Sequence, residues 1–193
     1  IPEETIKYHK LTNDNLRDQP TLKKPLREFL DFFGNKPLLA HNAIYDIGFL
    51  VKGMHDYNFG PSLSDVYDSC RFARSLYKKK KNSPENFKLS TLAKYYGVNF
   101  EHHQALQDAF TALKVFIEGL RFLEDQEEKP LKEMAFLFKL NSFQKPEAYI
   151  LPQKLQELKE YIKTKDLVYI KYRGGNTRGK YRPIRPLNLM SLP

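Results

Sequence analysis

Apolar residues in the stretch 21–33 recur every three or four positions, which predicts a helix that Gly34 ends. The apolar run at 37–40 predicts a short buried strand. Apolar spacing resumes at Ile47, Phe49, Leu50 and Met54 and predicts a second helix, partly buried. The order helix, buried strand, helix is typical of an α/β sheet.

The same alternation of short apolar runs and helical spacing continues along the chain. A strand is predicted at 64–67 and a helix directly after it. The segment LSTLAKYYGV predicts a helix closed by Gly97, because glycine readily adopts the left-handed conformation of a helix end. Apolar positions over 106–120 predict a long helix. We therefore expect an α/β domain over residues 1–124.

Beyond this domain the pattern changes. Residues 125–152 begin with a charged segment and contain several prolines, which predicts a connector. Within 153–193, LQELKEYI has helical spacing, and DLVYIKY alternates like a strand before a glycine-rich turn and a second strand limited by prolines. These features predict a small α+β appendage made of one helix and one hairpin.

Composition and charge narrow the class of function. The 193 residues are 41% hydrophobic, as in a folded protein, and 32 Lys and Arg against 23 Asp and Glu give a net charge of +9. That surplus favours nucleic acid as a partner, although a merely basic protein would look the same. The single cysteine, Cys70, excludes an intramolecular disulfide and is expected to be packed in the core. The sequence has no apolar run of membrane-spanning length, so we expect a cytoplasmic protein with no membrane partner.

Polar residues cluster where the strand predicted at 37–40 ends. His41 and Asn42 follow the strand, and Asp46 lies near the start of the next helix. Open α/β sheets place their sites at such strand ends. Capping of the helix by Asn42 or Asp46 is the competing interpretation, and capping by Asn42 is compatible with metal binding by Asp46.

A second polar cluster lies at the start of the long helix, where His103 precedes Asp108 by five positions. Two helical residues at this spacing point about 140° apart, so His103 should lie in the loop that enters the helix. From there its imidazole can turn back over Asp108, and a histidine beside a metal-bound water suits a general base. The competing interpretation is a surface histidine followed by a solvated aspartate.

Four segments together are more specific than either cluster: AHNAIYDIGFL, DSCRFARSLY, KLSTLAKYYGV and HHQALQDAFTALKVF. In order and spacing they resemble the histidine-bearing branch of the DEDD exonuclease superfamily, most closely the proofreading epsilon subunit of bacterial DNA polymerase III. The resemblance covers roughly residues 3–120. It implies a ribonuclease H-like fold and 3′→5′ removal of nucleotides from DNA. It also implies a single-stranded DNA 3′ end as substrate and a replicative DNA polymerase catalytic subunit as a partner.

The resemblance assigns a role to five residues. Asp46 and Asp108 would be metal-binding carboxylates and His103 the general base, while His41 and Asn42 would shape the site near the DNA end. Two Mg²⁺ or Mn²⁺ ions are implied as cofactors, and hard divalent ions of this kind prefer carboxylate oxygen.

One part of the family's pattern is missing from the sequence. The family's Asp-x-Glu pair on its opening strand should precede residue 1. We expect the parent protein to supply this segment and the chain alone to be inactive. The expected fold is therefore a ribonuclease H-like exonuclease fold lacking its N-terminal strands. The alternative is a non-catalytic module of the same fold that binds nucleic acid or a polymerase.

Three further features carry weaker signals. The lysines at 78–81 would grip a phosphate backbone or form a solvated loop, and Asp68 should cap the helix that follows it. The segment DLVYIKYRGGNTRGKYRPIRPL faintly resembles a WYL domain. Four arginines would then form a basic hairpin surface, with scattered surface arginines as the competing interpretation: Arg173, Arg178, Arg182 and Arg185.

Overall fold

The structure is a computed structural model that describes residues 1, 3–60, 62, 64–77, 82–99, 105–125, 137–140, 153, 156–171 and 179–186. His103, the lysines at 78–81, Arg173 and Arg178 lie outside these ranges. The chain divides into two compact units, Ile1–Ser142 and Phe143–Pro193. Among the described residues, no helix is both long and apolar enough to cross a membrane.

The first unit combines helices with a small sheet. Its described helices are α1 (Glu3–His9), α2 (Asn13–Leu16), α3 (Lys23–Phe33), α4 (Ile44–Asp56), α5 (Ser69–Leu76), α6 (Leu89–Tyr95) and α7 (Ala105–Asp125). Its strands are β1 (Leu38–Ala40), β2 (Asp65–Asp68) and β3 (Leu137–Lys139). Every helix and strand predicted between residues 21 and 120 is present, and the glycines predicted to end α3 and α6 both have positive φ, 54° at Gly34 and 66° at Gly97.

The sheet has the order β1-β2-β3. β1 and β2 run parallel with Ala40 opposite Asp68, so the carboxyl ends of both strands lie side by side. β3 pairs antiparallel with β2, with Phe138 opposite Val66. This strand lies inside the segment predicted as a connector, so the first unit extends past the predicted boundary at residue 124. Three residues within an apolar stretch are too few to show the alternation of a strand. They form a strand because they pair with β2 on the side that β1 leaves open.

Helix α7 packs against α5, α6 and β1. Phe72 and Leu76 from α5 and Leu123 from α7 are buried together. Gly119 allows the close approach, since a Cβ atom there would lie 2.8 Å from Cε1 of Phe72. This packing fixes the first turn of α7, which carries Asp108, beside the sheet.

The second unit contains the predicted helix and hairpin. Helix α8 covers Leu158–Thr164, and the strands β4 (Val168–Lys171) and β5 (Tyr181–Ile184) pair antiparallel. Pro183 is tolerated within β5 because a two-stranded hairpin has only edge strands.

Candidate active site

Three of the five residues predicted to form the site line one cavity of about 530 Å³. His41 comes from the end of β1, Asp46 from the first turn of α4, and Asp108 from the first turn of α7. The remaining lining is mainly apolar: Phe29, Leu38, Leu39, Ala40, Ile47, Leu50, Leu89, Ala105, Ala109 and Ala112. Two carboxylates that are 62 positions apart in the sequence therefore face the same concave, largely apolar space.

The Asp46 side chain is exposed, but the protein groups around it exclude part of its water. Partial burial raises the pKa of this carboxyl, and the negative charge of Asp68 raises it further. A cation bound beside Asp46 would stabilise the ionised form of its carboxyl group.

Asp108 supplies the second carboxylate of the cavity. Its Oδ1 atom is buried and has no hydrogen-bond partner in the described part of the chain. A buried carboxylate oxygen normally accepts hydrogen bonds or binds a cation, since leaving it unpaired is costly. The donor set of Asp46 and Asp108 therefore suits a hard divalent cation.

The set is incomplete as a metal site. Within the described ranges, no three His, Cys, Asp or Glu side chains are grouped so that they could hold one ion. A site for Mg²⁺ or Mn²⁺ built on Asp46 and Asp108 needs further oxygen ligands from water, from the substrate or from other protein groups.

Asp68 connects two helix N-termini at the sheet edge. Its side chain is only 1% exposed. Oδ1 accepts hydrogen bonds from the backbone N–H groups of Cys70 at 2.9 Å and Arg71 at 3.1 Å, which begin α5. The same oxygen accepts from the N–H of Asn42, and Oδ2 accepts from that of Ala43 at 3.1 Å. One carboxylate thus caps α5, as predicted, and also holds the turn that leads into α4.

The competing interpretation, in which Asn42 or Asp46 caps α4, is wrong. The N-cap residue of α4 is Ala43, which has no capping side chain. The backbone N–H groups at this turn are satisfied instead by Asp68, from the neighbouring parallel strand. Asn42 is exposed and has a φ of 61°, a left-handed conformation that asparagine tolerates better than most residues. It is not among the residues that line the cavity.

His41 is held by both of its ring nitrogens. Nε2 lies 3.0 Å from the carbonyl oxygen of Phe87 and Nδ1 lies 2.9 Å from the hydroxyl of Ser69. Since a carbonyl only accepts, Nε2 carries a hydrogen, and Nδ1 of the neutral ring accepts from Ser69. Burial lowers the pKa of His41, which favours this neutral form. The ring therefore lines the cavity as a fixed wall, with its polar atoms directed to protein groups.

Sequence reasoning did not identify Ser69 and Phe87 as contributors to the site. They are 28 and 46 residues from His41 along the chain. Nothing in the local pattern marks either residue, because Phe87 contributes only its backbone carbonyl. His103 lies outside the described residues, and its role as general base stays a prediction. Helix α7 begins at Ala105, two residues after it.

Comparison with known protein families assigns most of the first unit to one family. The model of the RNase T family, described as exonuclease, matches residues 1–116. The chain belongs to this exonuclease family. The ribonuclease H-like exonuclease fold expected from the resemblance is thereby confirmed for the first unit.

The individual proteins that this chain resembles carry the same name. DNA polymerase III of the PolC type from Staphylococcus haemolyticus is 32% identical over 126 residues, which is 65% of this chain and 8% of that protein. The proteins of the same name from Staphylococcus epidermidis and Staphylococcus aureus have the same identity and coverage. The chain thus spans only a small part of the length of these curated relatives. They are named as PolC-type polymerases, and the specific likeness to the epsilon subunit stays a prediction.

Proposed function

We propose that the first unit is the core of a 3′→5′ DNA exonuclease of the proofreading type, which hydrolyses the terminal phosphodiester with the help of two divalent ions. The observation that carries the proposal is the meeting of Asp46 and Asp108 in one cavity, with a buried Asp108 oxygen that has no partner among the described residues. Membership of the exonuclease family supports nuclease chemistry. The names of the relatives support DNA as the polymer and a replicative polymerase as the partner.

Each residue has a defined task in this proposal. Asp46 and Asp108 would hold Mg²⁺ or Mn²⁺, and His103 would accept the proton of the attacking water. Ions bound there would polarise the phosphate and lower the pKa of a bound water. His41 would keep the cavity wall rigid, since Ser69 and Phe87 hold its ring. The apolar lining would exclude bulk water and so strengthen the charge interactions within the cavity.

We propose that the missing Asp-x-Glu pair comes from a strand that pairs with the outer edge of β1. In the described part of the chain no strand pairs with that edge. Beside it, an apolar groove of about 280 Å³ is lined by Leu39 of β1 and by residues of α7: Leu106, Ala109, Phe110 and Leu113. A strand seated there would cover this groove and present alternate side chains to the neighbouring cavity.

The alternative is a binding module without catalysis. It is favoured by one observation, the lack of a third metal-binding side chain in the described residues. The two functions differ in one measurable property, which is Mg²⁺-dependent release of nucleotides by the full-length protein.

The test uses full-length protein on single-stranded DNA, mismatched duplex and RNA, each labelled at its 5′ end. We expect Mg²⁺-dependent shortening from the 3′ end and none in EDTA. His103→Ala should slow shortening by about 10²–10⁴-fold, as expected for loss of a general base. His102→Ala is the matched control, because it removes the neighbouring imidazole. Full activity of His103→Ala would refute its role, and no shortening by the wild-type protein would favour the binding module.

A further inference from the structure

The positive charge of the chain is concentrated in the second unit. Residues 143–193 contain eleven Lys and Arg against four Asp and Glu, a net charge of +7. The whole chain carries +9, so the first unit, almost three times longer, carries only +2. A small unit with this charge density attracts polyanions more strongly than the exonuclease unit does.

The register of the hairpin places aromatic and basic side chains on one face. Tyr169 pairs with Pro183 and Lys171 pairs with Tyr181, and directly opposite residues of a ladder point to the same side. Tyr169 is 67% exposed and Tyr181 is 69% exposed. We call the surface formed by Tyr169, Lys171, Tyr181 and Pro183 the tyrosine face.

The apolar residues that would form a core lie on the other side of the hairpin. Val168 and Ile184 are paired there, and both are half-buried, as is Ile170. The tyrosine face therefore exposes its rings although the same strands partly bury their aliphatic side chains. Arg182 pairs with Ile170 on this opposite side, so it does not belong to the tyrosine face.

The tyrosine face combines the two groups that bind single-stranded nucleic acid. Tyr169 and Tyr181 are diagonal neighbours across the two strands, about 7–8 Å apart, so each ring can stack with one base. The Lys171 ammonium lies 5.7 Å from the centre of the Tyr181 ring and can meet a phosphate beside a stacked base. Lys180, directly before β5 in the sequence, is also exposed.

We propose that the tyrosine face is a binding site for single-stranded nucleic acid, separate from the exonuclease cavity. Bases stack on Tyr169 and Tyr181, and Lys171 contacts the phosphate backbone. The site needs no divalent metal and does not discriminate between base sequences, because every base offers a π-face. It does not depend on the proposed hydrolytic activity.

The test measures binding of fluorescein-labelled dT12 to the 193-residue chain by anisotropy in EDTA, where metal-dependent cleavage cannot occur. Tyr169→Ala and Tyr181→Ala should each raise Kd by about 5- to 150-fold, as expected for loss of one stacked base. Tyr169→Phe and Tyr181→Phe should bind like wild type, since the ring is kept. Phe32→Ala is the matched control, because Phe32 is 77% exposed with Lys36 over its ring but belongs to the first unit.

Charge is tested separately by the dependence of Kd on NaCl. Lys171→Gln should reduce the slope of log K against log[NaCl] by about 0.7, the value for one phosphate contact on a single strand. Lys163→Gln removes the same charge from α8, where Lys163 pairs with Glu160 at 2.7 Å, and should leave the slope unchanged.

A measurement on the wild-type chain guards against misfolded variants. Ultraviolet cross-linking to dT12 followed by peptide mass spectrometry should locate the adduct on Tyr169 or Tyr181. Three results would overturn the proposal: cross-links confined to the first unit, alanine variants with an unchanged Kd, or equal affinity for poly-glutamate with the same dependence on Tyr181. The last result would identify an acidic protein segment as the ligand.

Discussion

Replacing Gly119 with alanine should destabilise the first unit, because α7 crosses α5 at this residue with no room for a methyl group. The added Cβ would lie 2.8 Å from Cε1 of Phe72 and 3.1 Å from Cδ1 of Leu76. Both side chains are only 1% exposed, and the Phe72 ring also packs against Phe116 with centroids 4.8 Å apart. Neither side chain can move aside without disturbing the core.

The expected magnitude is the difference of two effects. Overpacking a close-packed core costs about 1–3 kcal/mol. Alanine in place of glycine within a helix returns about 1 kcal/mol. The free energy of unfolding of Gly119→Ala should therefore fall by up to about 2 kcal/mol, measured by urea denaturation followed by circular dichroism at 222 nm.

Two other glycines provide controls in α4. At Gly48 a Cβ would meet nothing within 4 Å, so Gly48→Ala should stabilise by about 0.5–1 kcal/mol. At Gly53 a Cβ would lie 2.8 Å from a terminal methyl of Leu26, which can rotate away, so the effect should be intermediate. If Gly119→Ala proves as stable as Gly48→Ala, the packing of α7 on α5 described here is wrong.

Three further changes test the sheet edge. Asp68→Ala should lower the free energy of unfolding by about 2–4 kcal/mol in urea denaturation, because it removes the cap of α5 and the acceptor at the start of α4; a loss below 0.5 kcal/mol would contradict this role. His41 has a lowered pKa when folded, so the unfolded chain binds the proton more readily and stability should fall as pH drops below about 6.5. His41→Gln should weaken that acid dependence in thermal denaturation and His9→Gln should not; equal effects would refute it. The raised pKa of Asp46 has the opposite effect on stability. The folded chain binds this proton more readily than the unfolded chain, so the contribution of Asp46 to stability falls as pH rises. Asp46→Asn should therefore raise the melting temperature at pH 7 without metal, and this gain should vanish near pH 3; no gain at pH 7 would mean that the Asp46 charge is well solvated.

The helices and strands between residues 21 and 120 could be predicted from the sequence because each is marked locally, whereas α1 and α2 were not predicted. Apolar spacing identifies α3 and α7, and glycines mark the ends of α3 and α6. β3 could not be predicted, since three residues carry no period and the strand exists only by pairing with β2.

The family resemblance could predict which residues belong to the candidate site. It could not predict the contacts between side chains that are distant in the sequence. Asp46 and Asp108 were assigned by resemblance, and the structure brings them to one cavity. The double role of Asp68 depends on β1 and β2 lying parallel with Ala40 opposite it, which no local pattern encodes. For the same reason the contacts of His41 with Ser69 and Phe87 appear only in the folded chain.

The central claim is that Asp46 and Asp108 bind the same metal centre, and a double-mutant cycle on the full-length protein tests it most directly. Asp46→Asn and Asp108→Asn should each reduce Mg²⁺-dependent nucleotide release by at least about 10²-fold. The double variant should be little worse than either single variant, because residues that act as a unit are not additive. Asp56→Asn, which removes an exposed carboxylate from the same helix as Asp46, should be nearly as active as wild type. Losses that multiply in the double variant, or single variants as active as Asp56→Asn, would contradict a shared metal centre.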